Sequence, residues 1–450
     1  MPDREHRRHG TPRGRRPRLR HTEARRINAT AIDRDVLDRD ALRVVARLQR
    51  AGHEAYFVGG CVRDLMIGRV PKDFDVATSA HPPEVRRLFR NGRIIGRRFR
   101  LVHIYYGEHI IETSTFRSEP TQREDDELLI LEDNEYGTAG EDARRRDFTV
   151  NALFLDPTKH EILDFVDGLQ DLDDRVLRTV GDPDVRMAED PVRIMRAVKF
   201  ATRLDFEIEP ATWGAMCDQA SQLSRSAPPR VLEEILRLMR SGTALGAIKM
   251  MRACGALRVV LPDVAVYLEP DGVGQLDVER SERFWRLLEA LDSEVHQGYE
   301  PTTAVCIAVL FVLIVEVQAN ADTRTLPGEP PDLNDVCWEV LEPLSASARL
   351  SRRDFGRARR IIAAQHRFTQ PASKRFSPLL FARTEDFPEA LDLFGLWVEA
   401  RGRGWDIFEG WQDRYERAQR VTEEDLEVER KRTRRRRRRP RRRRGGGGEG

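Results

Sequence analysis

Ala55-Tyr56-Phe57-Val58-Gly59-Gly60-Cys61-Val62-Arg63-Asp64, followed after seven residues by Lys72-Asp73-Phe74-Asp75-Val76-Ala77, decides how the rest of the chain is read. Four apolar strand-formers closed by Gly59-Gly60 predict a strand, and Cys61 to Ile67 predicts a short helix ended by Gly68. Glycines between a strand and a helix let a phosphate approach backbone N–H groups at the helix start. Arg63, within the first turns of that helix, is placed to reach the same phosphate. Asp73 and Asp75 are two residues apart, so on a strand both carboxylates point to one face. Two carboxylates beside a phosphate cradle suit Mg²⁺. Two such ions, ~3.5–4 Å apart, activate an attacking hydroxyl and steady a leaving pyrophosphate. A lone Asp-x-Asp is more often two solvated acids in a turn; Gly59-Gly60 and Arg63 upstream give this one its chemical reading.

A third acid is needed to fix the metals, and two residues are candidates. Glu112 follows Ile110-Ile111 in a predicted strand and falls beside the aspartates if the two strands are neighbours. Asp147, in Arg145-Arg146-Asp147-Phe148-Thr149-Val150-Asn151, is the other, though it also suits the cap of a helix predicted from 147 to 152. Arg146 and Asn151 are candidates for triphosphate and sugar. A further stretch reads Glu189-Asp190-Pro191-Val192-Arg193-Ile194-Met195-Arg196, within a predicted helix over 188–203. Asp190 and Arg193 are three apart and share a helix face. A carboxylate with a guanidinium offers acceptors and donors that read the edge of a base without a nucleic-acid template. The bland alternative is a structural ion pair. Arg196 and Lys199 extend the same face toward phosphates.

Working outward, the spacing predicts further strands at 74–77, 101–106, 109–116 and 161–165, with a helix from Pro82 to Phe89, so 53–167 reads as mixed α/β. From about 185 the apolar period is helical throughout. The longest apolar run, Ala304 to Val315, is twelve residues, short of the ~18–20 a membrane span needs, and reads as a core helix. The N-terminus lacks the apolar segment of a secretory signal. Five scattered cysteines without a Cys-x-x-Cys pair argue against structural zinc and a disulfide scaffold, and point to a reducing cytoplasm.

The 450 residues carry 77 Lys+Arg against 75 Asp+Glu, a net charge of only +2. That balance is a partition. Residues 1–26 hold 10 Arg against 3 acids, and 430–450 hold 13 Lys/Arg against 1 acid, which leaves 27–429 with 54 basic and 71 acidic residues, near −17. Both ends are expected to be disordered basic arms, and arginine arms on an acidic body imply an anionic partner.

Together these motifs resemble the class II nucleotidyltransferases, the bacterial poly(A) polymerases and CCA-adding tRNA nucleotidyltransferases. The resemblance is strong over about 53–260. It implies an α/β head with a mixed five-stranded sheet (53–180) after a leading helix (27–52). A helical neck for base recognition and RNA binding (181–265) and a helical body (266–429) would follow. It implies two Mg²⁺ ions, ATP as substrate and an RNA 3′-OH as nucleophile. By position, Asp73 and Asp75 match the metal pair, and Glu112 or Asp147 the third acid. Gly59, Gly60, Arg63, Arg146, Asn151 and Arg196 match nucleotide-binding positions, and Asp190 with Arg193 the base template. Lys199 replaces an arginine of some relatives. Gly96-Arg97-Arg98-Phe99-Arg100-Leu101-Val102-His103 looks like the poly(A) branch, and no His-Asp dipeptide of the phosphohydrolase domain fused to one CCA-adding subgroup occurs. The expected activity is template-independent addition of AMP to RNA 3′ ends. A CCA-adding enzyme and an inactive RNA-binding protein are the alternatives. RNA-degradation machinery is a candidate further partner; neither DNA nor membrane is expected as one.

Overall fold

The computed structural model describes residues 23–96, 100–118, 135–269, 278–321, 333–370 and 376–438. The chain falls into two compact units, one ending at Asp182 and the other beginning at Pro183.

In chain order the first unit comprises β1 (Arg25–Asn28), α1 (Arg39–Arg50), β2 (Ala55–Val58), α2 (Gly60–Met66), β3 (Val76–Thr78), α3 (Pro82–Leu88), β4 (Gly92–Ile95), β5 (Leu101–Tyr106), β6 (His109–Thr115), α4 (Ala139–Arg145), β7 (Leu153–Asp156), β8 (Glu161–Asp164) and α5 (Gly168–Asp173). One sheet runs β1-β8-β7-β2-β3-β6-β5-β4. It is mixed: β3 and β6 are parallel, whereas β2 pairs antiparallel with both β3 and β7. All four residues of β2 are buried, as its unbroken apolar run requires of a central strand. Tyr56, Phe116, Phe154 and Leu163 belong to the core on one side of this sheet. The α1 helix packs on β2 and β3 through Ala41, Val44, Val45 and Leu48, and Asp38 caps it by accepting from Ala41 N–H at 2.7 Å.

The second unit is helical: α6 (Pro183–Glu189), α7 (Val192–Leu204), α8 (Pro210–Gln219), α9 (Pro228–Met239), α10 (Ala244–Ala253), α11 (Ala256–Val260), α12 (Pro262–Tyr267), α13 (Val278–His296), α14 (Thr303–Ala321), α15 (Leu333–Ala348), α16 (Arg352–Thr369), α17 (Pro378–Ala382), α18 (Phe387–Arg401), α19 (Trp405–Gln419) and α20 (Glu423–Arg438). By length and composition, α14 is apolar enough to cross a membrane, but 67% of its most apolar window is buried inside this unit. It packs against α15, α16 and α18, the role expected of a core helix. Phe368 of α16 stacks on Phe394 at 4.7 Å and meets Trp411 edge-on at 5.5 Å, which locks α16, α18 and α19 together.

Several sequence expectations need correction. The sheet has eight strands, not five. Residues 25–28, expected to be split between a disordered arm ending at 26 and a leading helix starting at 27, form a strand that pairs with β8, and Arg26 bridges Glu161 at 3.3 Å. The helix expected over 147–152 is a single tight turn, Thr149–Asn151, because Leu153-Phe154-Leu155 is drawn into the sheet as β7. The helix expected over 188–203 is broken at Asp190. Pro191 disfavours helical backbone in the residue before it and restarts the helix as the cap of α7. The basic tail does not leave regular structure at 430: α20 continues to Arg438. Residues 1–22 and 439–450, which hold most of the two basic arms, lie outside the described residues, as does Arg97-Arg98-Phe99.

Candidate active site

The site in the first unit is built around the end of β2. Gly59 has φ +74°, a left-handed conformation that L side chains rarely adopt, and its N–H donates to Leu153 O at 3.1 Å. A β-carbon there would come within 3.0 Å of Arg146 Nη1. The glycine is therefore needed twice, for its backbone and for the close approach of the guanidinium. Arg146 is itself held by Asp142 Oδ2, at 3.0 and 3.2 Å, and lies over the Phe154 ring at 5.3 Å.

Asp73 and Asp75 lie just before β3 and not within it. The segment is already extended, since Val58 N–H donates to Asp75 O at 3.1 Å. Burial alternates along it: Asp73 exposed, Phe74 buried, Asp75 exposed. The two carboxylates thus share a face, as the spacing predicts. Val76 pairs with Thr113 in the parallel β3–β6 ladder, so Asp75 stands beside Glu112, one residue back on each strand. The Asp75 carboxyl is pushed up to about 6, first by desolvation, then by the Glu112 charge and, more weakly, by Asp73, while Arg146 pulls it down.

Asp147 is differently employed. Its Oδ1 accepts from Phe148 N–H at 2.9 Å and from Asn151 Nδ2 at 3.2 Å, which fixes the turn before β7. Arg63 is buried, only 2% exposed. It donates to Asp64 Oδ1 at 2.6 and 2.8 Å and to Asn151 Oδ1 at 2.5 Å. Asn151 is buried between Arg63 and Asp147. This chain of contacts ties α2 to the turn before β7, so Arg63 and Asn151 brace the glycine corner from below. Beside it, an open cavity of about 210 Å³ is lined by Ser114, Thr115, Arg117, Asp142, Arg145 and Arg146.

The base-reading candidates lie in the second unit. Asp190 and Arg193 do not pair with each other. With the helix broken between them, Asp190 accepts both guanidinium nitrogens of Arg230 on α9, at 2.6 and 2.9 Å. Arg193 turns back to Arg186 O at 2.5 Å and Glu189 Oε2 at 3.1 Å. Arg196 and Lys199 do not form an open phosphate face: Lys199 Nζ bonds the buried Glu234 at 2.8 Å, and Arg196 lies 4.0 Å from the same residue. Burial holds the Lys199 ammonium below its ordinary range, and Glu234 partly offsets this. Sequence reading missed Asp142, Arg230 and Glu234. Asp142 had a signal, four residues before Arg146 on one helix. Arg230 and Glu234 had none, being about 40 residues from their partners.

This geometry has known counterparts. Residues 55–178 match the family model described as poly A polymerase head domain, and 205–268 match the probable RNA and SrmB-binding site of polymerase A. Poly(A) polymerase I of Salmonella typhi is 37% identical over 69% of this chain and 69% of its own length. That of Escherichia coli O6:H1 is 36% identical over 80% of this chain and 78% of its own length. The chain belongs to the class II nucleotidyltransferases, on their poly(A) polymerase branch. The transferase is also similar to the CCA-adding enzyme of Levilactobacillus brevis, 37% identical over 63% of this chain and 66% of that one. Its fold is that of the Bacillus stearothermophilus CCA-adding enzyme solved with CTP: TM-score 0.62 and 24% identity, over 83% of this chain and 81% of the other. As a poly(A) polymerase, the transferase acts on ATP and RNA.

Proposed function

We propose that AMP is transferred to RNA 3′ ends at the face formed by Asp73, Asp75 and Glu112, with pyrophosphate as leaving group. The observation that carries this is the parallel β3–β6 register, which sets Asp75 beside Glu112 on the face that also presents Asp73. The donor set fits a divalent cation: three hard oxygen ligands, and no ion pair to Asp73 or Asp75 among the described residues. The raised Asp75 carboxyl supports the same reading: desolvation raises it most, and the Glu112 and Asp73 charges add to it, a crowding that a cation would relieve. When bound, two Mg²⁺ ions supply activation of the primer hydroxyl and charge stabilisation at the leaving pyrophosphate. Glu112 is the better third acid, because Asp147 is engaged in the turn before β7. Among the described residues, the trio whose ligand atoms approach within 4.8 Å is a different one, Asp38, Asp40 and His109, to which no chemistry is assigned.

The remaining residues bind and orient. Gly59 and Gly60 leave room for the triphosphate beside the Arg146 guanidinium, which meets the charge that develops on the leaving group. Arg63 and Asn151 hold that corner in shape. Asp190, steadied by Arg230, and Arg193 present the edge that selects adenine, and Arg196 adds positive charge nearby. The arginine-rich ends supply salt-sensitive RNA affinity. Five free cysteines, four of them buried, support a reducing cytoplasm as the compartment. RNA-degradation machinery is a further partner on this reading.

Asp73→Ala and Asp75→Ala should each reduce AMP incorporation by at least about a thousandfold, while RNA binding in a filter assay stays within twofold; substantial residual turnover would remove the metal assignment. The four NTPs, tested separately on a tRNA lacking its 3′ end, distinguish the branches. Long A tails are expected, against discrete C-C-A addition by a CCA-adding enzyme and no incorporation by an inactive RNA-binding protein.

A further inference from the structure

His103 has no role in the reading above, yet it faces the third carboxylate. In the β5–β6 ladder His103 is directly opposite Glu112, and its Nε2 lies 3.4 Å from Glu112 Oε1. On its other side, His103 is directly opposite Arg93 of β4. One row therefore crosses four neighbouring strands or their extensions: Asp75, Glu112, His103, Arg93. His103 alternates with buried Val102 and Ile104, which places it on the same sheet face as the acids. It is half-buried and its ring meets Tyr105 edge-on at 6.3 Å, while Arg93 lies over that tyrosine at 5.4 Å. The imidazole is thus braced by its own strand and the next. Glu112 is mostly exposed, and a glutamate on an open sheet face samples several rotamers unless something holds it.

We propose that His103 is a positioning residue for Glu112: it donates from Nε2 to Oε1, selects the rotamer that turns the carboxylate toward Asp75, and leaves Oε2 for the cation. This rests on Glu112 being the third metal-binding acid. Partners of this kind around a ligating carboxylate typically contribute 10–100-fold in metal affinity or activity.

The test measures Mn²⁺ binding to the full-length protein without ATP or RNA, by the electron paramagnetic resonance signal of free Mn²⁺, alongside kcat and KM. His103→Ala should weaken Mn²⁺ binding about tenfold or more and lower kcat at fixed Mg²⁺, with KM for ATP within about twofold. His103→Gln, whose amide nitrogen reaches roughly where Nε2 lies, should restore most of the Mn²⁺ affinity. In the background of Glu112→Gln, His103→Ala should cause no further loss. Wild-type Mn²⁺ affinity in His103→Ala, absence of rescue by His103→Gln, or additive losses in the double variant would each overturn the proposal. If His103→Ala does not fold, the comparison of His103→Gln with His103→Leu decides in the same way. Glu112→Gln separates the two readings. Unchanged Mn²⁺ binding and activity there remove Glu112 itself, whereas losses in Glu112→Gln but not in His103→Ala remove only the role of His103.

Discussion

At Asp75 the needs of the site and of the fold oppose each other. Its carboxyl is held near 6, above the ordinary value of about 4, so the native state binds this proton more tightly than the unfolded chain does. The stability this group contributes is full below about pH 4 and is lost as pH rises through about 6. Asp75→Asn keeps the uncharged form at every pH. In EDTA, thermal melts should therefore show the variant overtaking the wild type between pH 4 and 7 and melting higher at pH 7, at the expense of activity. Mg²⁺ should raise the wild-type Tm and leave the variant's nearly unmoved. A variant that melts lower at pH 7 in EDTA would show that the acids do not repel. Gly59 gives a second prediction of opposite sign. Gly59→Ala should lower stability by about 1–3 kcal/mol, because φ +74° with ψ −126° is a backbone that L residues rarely hold. It should also raise KM for ATP, because the new methyl displaces Arg146, 3.0 Å away; calorimetry and steady-state kinetics check the two effects.

At the scale of elements, the strand–glycine–helix corner was readable because each part is specified locally: an apolar run, two glycines, a short amphipathic turn. So was the common face of Asp73 and Asp75, which follows from the period of an extended chain even though the strand proper starts at Val76. The pairing of Asp190 with Arg193 was not. The three-residue spacing presumes an unbroken helix, and Pro191 breaks it, which frees the Asp190 carboxylate to take Arg230 from α9. The Arg230 side chain is more than half exposed, so the pair should contribute little to stability. Arg230→Ala is accordingly expected to shift Tm by less than about 2 °C. If the pair steadies the base-reading edge, the same change should lower the preference for ATP over CTP and GTP by about tenfold, measured as ratios of kcat/KM; unchanged ratios would place Asp190 outside base selection. Glu234 shows the same limit of local reading: Lys199, read along its own helix, is paired by a carboxylate from another.

For the whole molecule, the net charge of +2 describes no surface, since a body near −17 lies between two arginine arms. Replacing the arginines of 430–444 by glutamine should weaken RNA binding at 50 mM salt and flatten the dependence of log K on log salt, at about 0.7 per lost phosphate contact on single strands. It should leave kcat at saturating RNA near wild type; an unchanged slope would free the tail of this role. By itself, the sequence determined the α/β head before a helical remainder, the glycine corner, the paired aspartates and the charge partition. These follow from backbone period, side-chain size and composition, which act over a few residues or over the whole chain. Only the tertiary structure decided that Glu112 stands beside Asp75, that Arg63 points inward to Asn151, and that Arg230 holds Asp190. Those choices depend on which strands become neighbours and where helices end, and they are set by burial and pairing between residues about 35 to 90 positions apart, a separation at which no local spacing carries a signal.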